Sequence, residues 1–105
     1  MLKIANNKAS QAVADKVEFN GSNTFGRWYN GNETTIYVVF SYGYHFPMFA
    51  WIKGVWYENT DKYSVSTSKQ QTQLRPGAWG ENYYRVDGKR LKTNINETVG
   101  RCICR

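Results

Sequence analysis

The chain predicts a mostly β fold of the α+β class. It should be a small antiparallel sheet, curled or forming an open barrel, with an N-terminal helix and a short helical turn near residues 68–74. Three observations carry this. Thr35 to Glu58 is rich in Ile, Val, Tyr, Phe and Trp, the types that suit a pleated, half-buried surface. Asn30-Gly31, Lys53-Gly54 and Asp87-Gly88 have the composition of tight hairpin turns. Ala9, Ala12, Val13 and Val17 fall at helical spacing near the N-terminus.

Taken in order, Asn6-Asn7 predicts the cap of a helix over about Lys8 to Glu18, and the turn cluster Phe19 to Asn23 ends it. Thr24 to Tyr29 reads as a strand. Asn30-Gly31 predicts a type I′ turn into Thr35 to Ser41. Alternation puts Ile36, Val38 and Phe40 on one face, with Tyr37, Val39 and Ser41 on the other. Phe46 to Ile52 is the next strand, with Pro47 at its start or on an edge and Met48 on the same face as Ala50. Lys53-Gly54 turns the chain into Val55 to Glu58. Neither face is polar throughout, so the sheet should be covered on both sides or curled.

Beyond Asn59, the residues Tyr63 and Val65 suggest a last short strand of the meander. Ser66, Thr67 or Ser68 can cap a helical turn over Lys69 to Leu74 that stops before Pro76. Glu81 to Val86 reads as a strand, and Asp87-Gly88 predicts a hairpin returning through Lys89 to Thr93. Thr93 to Gly100 reads as loop, and the end of the chain as an edge strand or frayed tail. With 105 residues this is one domain. Residues 1–22 form its helix and turn, 23–75 its meander core, and 76–105 a basic hairpin and tail.

Composition narrows the function. Residues 1–68 carry six basic and five acidic side chains, whereas residues 69–105 carry eight and three, out of a net charge of +6. A basic terminal third favours a polyanion, either nucleic acid or a nucleoprotein complex; it is also compatible with a face that only keeps the protein in solution. Aromatic residues make up 16% of the chain, enough to supply both a core and a surface. Rings interleaved with cations mark the candidate binding residues. These are Arg27 and Trp28 in one strand, and Tyr83, Tyr84, Arg85, Lys89, Arg90 and Lys92 in the C-terminal third. Exposed rings stack on unpaired bases while Lys and Arg follow phosphates. The competing reading puts the rings in the core and the charges in water.

Ser66, Thr67, Ser68 and Lys69 form a second candidate, for anion binding at a helix start; plain N-capping fits the same residues. No catalytic constellation is read. His45 is the one histidine, placed in a strand between two aromatics, and the carboxylates show no pairing suited to hydrolysis. Cys102 and Cys104 are expected as free thiols, too few for a closed metal site. No cofactor or metal is expected. No apolar run is long enough for a membrane span or a signal peptide, so a cytoplasmic protein is expected.

Ser41-Tyr42-Gly43-Tyr44-His45-Phe46-Pro47 and Tyr63-Ser64-Val65-Ser66-Thr67-Ser68-Lys69-Gln70-Gln71, with Trp56 and Asn59 between them, carry a resemblance. Over about residues 35–75 the chain resembles a family of small, uncharacterised proteins of phages and other mobile elements. That family shares a Ser-Tyr-x-x-x-Pro strand, a Trp- or Asn-bearing turn and a Tyr-Ser-x-Thr-Thr-Ser-Lys-His/Gln segment. Many members carry His where this chain has Gln70-Gln71, so no imidazole role transfers. The resemblance implies a phage-type origin and a cytoplasmic setting in the bacterial host. It suggests a non-enzymatic partner of nucleic acid or of a host nucleoprotein complex, such as an anti-CRISPR inhibitor of a host defence nuclease acting on a CRISPR effector. The alternative is a protein-binding module using Phe46, Phe49, Trp51 and Trp56 as anchors, with no nucleic-acid contact.

Overall fold

The computed structural model describes residues 2–3, 9–21, 23–61 and 82–104. Their strands are β1 (Leu2–Lys3), β2 (Phe19–Asn20), β3 (Thr24–Asn30), β4 (Thr35–Ser41), β5 (Pro47–Ile52), β6 (Val55–Asn59) and β7 (Asn82–Val86). The helices are α1 (Ala9–Ala14) and α2 (Gly88–Val99). The mostly β class holds. The strands form one open sheet in sequence order, β1 to β7, and it does not close into a barrel. It is mixed rather than antiparallel. An antiparallel meander runs from β2 to β6, and β1 and β7 each add in parallel at an edge.

Both faces are covered, as two apolar faces require. Tyr37, Val39, Phe49 and Trp56 pack with Phe19 and with Ala12 and Val13 of α1. Ile36, Val38, Phe40, Ala50 and Ile52 pack beneath Leu91, Ile95 and Val99 of α2. Met48 departs from the expected alternation. Val39 pairs with Phe49 but Phe40 pairs with Pro47, so Met48 is an extra residue in a bulge and joins the α1 side with Phe49.

The turns show which local signals prevailed. At Lys53-Gly54 both residues take positive φ, 52° and 78°, and Ile52 pairs with Val55, the two-residue type I′ turn its composition favours. Asn30-Gly31 does not make one. Asn30 pairs with Thr35, leaving a four-residue loop closed by Gly31 N–H donating to the Thr34 carbonyl at 2.7 Å. That loop packs on the end of α2. Asn32 N–H donates to the Thr98 carbonyl at 3.3 Å, and a Cβ on Gly31 would lie 2.7 Å from the same oxygen. The glycine serves close approach, and tertiary packing chose the turn.

The largest correction lies after Val86. Asp87-Gly88 is no hairpin and Lys89 to Thr93 is no return strand; both belong to α2, as does most of the stretch read as loop up to Gly100. Asp87 is an N-cap with extended backbone, its Oδ1 accepting from Arg90 N–H at 2.8 Å. Gly100, at φ 82°, ends the helix in the left-handed conformation. Leu91, Ile95 and Val99 recur every fourth residue and make the buried stripe. Asp-Gly suits a helix start as well as a turn, and the packing of that stripe on the sheet decides.

α1 is shorter than expected, because Lys16 takes φ 56° and breaks it. Val17, expected in the buried stripe, is exposed. Phe19-Asn20, expected as turn, is β2, with Phe19 fully buried. Residues 101–104 are neither strand nor frayed. Asn96 Oδ1 accepts from Ile103 and Cys104 N–H, both at 2.9 Å, and Cys104 is buried. The strand at Tyr63 and Val65, the helical turn near 68–74 and the loop at Pro76 lie outside the described residues, as do Ser66, Thr67, Ser68 and Lys69. Among the described residues no helix is long and apolar enough to cross a membrane.

Candidate nucleic-acid interface

The sequence-predicted residues fall into three places. Arg27 and Trp28 are neighbours on β3 and so face opposite sides of the sheet. Trp28 points to the α1 side. Its indole N–H donates to the Lys16 carbonyl at 2.7 Å, and its ring meets Trp51 edge-on at 6.1 Å. Arg27 is on the α2 side, 5.1 Å from the Phe25 ring. Its guanidinium donates to the Phe19 and Gly26 carbonyls and to Asn20 Oδ1 at 2.7–2.9 Å. Those bonds hold the charge in a fixed place beside the rings of β3.

On β7 the alternation separates Tyr84 from Arg85 in the same way. Tyr84 pairs with Tyr57 and stacks on its ring at 6.1 Å and 30°, with 55% of its surface exposed. Arg85 pairs with Glu58 and forms an ion pair with it, Nε and Nη2 each 3.2 Å from Oε2. Glu58 is buried at 2% exposure, so Arg85 neutralises a carboxylate that water does not reach. Tyr83 pairs in register with Trp56, and its side chain lies outside the described residues.

Lys89, Arg90 and Lys92 stand on the first turns of α2, with Lys89 and Arg90 exposed and Lys92 half-buried. Helical spacing puts them on two flanks. Arg90 lies one turn before Asn94, which with Tyr57 lines a shallow groove. Lys89 and Lys92 line a cleft of about 430 Å³ with His45, Phe46, Asn59 and Cys104. The carboxylates nearest this end of α2 are already engaged. Asp87 caps Arg90 N–H, and Asp61 Oδ2 accepts from Gly88 N–H at 3.1 Å. Asp61 lines the cleft too, so among its described lining residues two lysines stand against one carboxylate.

The sequence reading missed what adjoins this cleft. His45 is not in a strand; it sits exposed in the turn between β4 and β5, next to Tyr44. Tyr44 is 41% exposed and packs edge-on against Phe25 and Phe40, each at 5.1 Å. Tyr29 completes the row Phe25, Arg27, Tyr29 on the α2 side of β3. Burial pushes its phenol up to about 12, Tyr44 and Cys104 push the same way, and Arg27 and Arg101 oppose them. Arg27 stands beside this patch, 5.1 Å from the Phe25 ring. The signal of the patch in the sequence was the alternation in β3, where every second residue is a ring or a cation.

The anchors of the alternative interface are mostly core. Phe46, Phe49 and Trp56 are buried, and only Trp51 is partly open. Among the described residues no group of three or more His, Cys, Asp or Glu side chains is placed to hold a metal ion. Cys102 is exposed, whereas burial pushes the Cys104 thiol up to about 12. Comparison with protein-family models, curated proteins and solved structures gave no match.

Proposed function

We propose that this chain is a non-enzymatic binding protein whose α2 side engages nucleic acid or a nucleic-acid-bearing complex. The observation that carries it is the cleft beside exposed rings, where Lys89 and Lys92 outnumber the one lining carboxylate, Asp61, among the described residues. Cations left to solvent beside open rings suit phosphates and bases together. The resemblance to phage and mobile-element proteins supplies the finer form of the proposal, an inhibitor of a host defence nuclease of the anti-CRISPR kind.

Salt dependence tests it. Affinity for a labelled oligonucleotide should fall steeply with ionic strength, and Lys89→Ala with Lys92→Ala should reduce the slope by about one for each phosphate no longer neutralised. A pull-down from host lysate should lose its partner after nuclease treatment. An affinity indifferent to salt and nuclease, but lost in Trp51→Ala, would favour the aromatic protein-binding module.

A further inference from the structure

We infer that the ligand is an unpaired nucleic-acid strand, running from the Lys89–Lys92 cleft past His45 to Tyr44, Phe25 and Arg27. The inference rests on the proposed function and deepens it by naming the class of strand and its path. Continuity comes from the turn between β4 and β5. His45 lines the cleft with Lys92 and Cys104, and its neighbour Tyr44 packs on Phe25 and Phe40 at 5.1 Å. Cleft and aromatic patch therefore adjoin, and cations stand at both ends of the path.

Open rings argue for a single strand. Bases in a duplex already stack on one another, so a protein ring gains nothing from them unless the step is forced apart, whereas an unpaired base has a free face. Tyr44 meets Phe25 and Phe40 at 67° and 63°, arrangements in which the rings are not stacked face to face. The other exposed rings are less suited. Tyr84 has one face on Tyr57, and its neighbour Arg85 is bound to Glu58. Trp28 lies on the opposite side, where Glu18 accepts from its backbone N–H at 3.0 Å and puts negative charge beside it.

Fluorescence anisotropy with an oligonucleotide of about 12 nucleotides, single-stranded and as a duplex, tests this at fixed low salt. The single strand should bind more tightly than the duplex. Tyr44→Ala should cost the strand roughly 5- to 100-fold in affinity while leaving duplex binding unchanged. Cross-linking the unaltered protein to a photoreactive single strand, followed by peptide mapping, gives a readout independent of the variant's folding. Adducts should fall on the peptide carrying Tyr44 and His45. Equal binding of both forms, with Lys92→Gln weakening both and Tyr44→Ala neither, would overturn the path but leave nucleic-acid binding standing. Adducts confined to Trp28 or Tyr84 would do the same. Absence of binding to either form would overturn both the strand path and direct nucleic-acid binding, and the nuclease-treated pull-down then decides the complex.

Discussion

The two faces of the sheet are closed in different ways. On the α1 side, the described helical side chains that join the core are Ala12 and Val13, and the large rings Tyr37, Phe49 and Trp56 fill much of the space themselves. On the α2 side, a capped twelve-residue helix supplies three aliphatic side chains over Ile36, Val38, Phe40, Ala50 and Ile52. A helix with side chains is roughly 10–12 Å wide. From β3 to β7 there are four strand spacings of about 4.8 Å, roughly 19 Å in all. One helix therefore covers the middle of its face and leaves both flanks partly open. Phe25, Tyr29 and Tyr44 lie on one flank, and Tyr57 and Tyr84 on the other. The candidate interface follows from this mismatch of widths.

By that contrast, the costliest single change lies on the self-filled side. Trp56→Ala should destabilise the protein by about 3–5 kcal/mol in urea unfolding, since a 1%-exposed indole leaves a cavity no short helix can collapse into. Leu91→Ala should cost about 2–5 kcal/mol by the same measurement and loosen α2 from the sheet. A result in which Leu91→Ala is harmless would mean that α2 does not hold its face closed.

Smaller effects sharpen the comparison. Asp87→Ala removes the N-cap and should cost about 1 kcal/mol, with Asp87→Asn recovering most of it. The tail that closes the cleft can be probed chemically. At pH 8, iodoacetamide should alkylate Cys102 well before Cys104, because one thiol is exposed and the other is buried with its pKa raised to about 12. Equal labelling, read by mass spectrometry, would show that the tail does not stay docked. Alkali should act in part through Tyr29, alongside Tyr37 and Cys104, whose pKa values burial also raises. The folded-state pKa of Tyr29 is raised to about 12 from 10, so the folded state holds the proton more tightly than the unfolded one. That contribution is complete below pH 10 and is lost as pH rises through 12, and Tyr29→Phe should flatten this alkaline decline.

Much of the candidate site was hidden for one physical reason. Ring and charge content picked out Arg27, Trp28, Tyr84 and Arg85. Pairing then sent Arg27 and Trp28 to opposite faces and gave Arg85 to a buried Glu58. Tyr44 and His45 drew no attention as binding residues, since a turn between two apolar runs carries no periodic signal. Their value comes from the neighbours Phe25 and Cys104, which are distant in the chain.

By itself the chain determined the meander. Side-chain alternation in Thr35–Ser41 and the Lys53-Gly54 turn act between near neighbours, and near neighbours are all that a short stretch needs to choose a strand or a tight hairpin. Only the tertiary structure decided the turn at Gly31, the parallel pairing of β1 and β7, and the helix in place of a second hairpin. Each of these depends on contacts between segments far apart in sequence. Thr98 presses on Gly31, Asn59 meets Val86, and the apolar stripe of α2 finds the open face of β4 and β5.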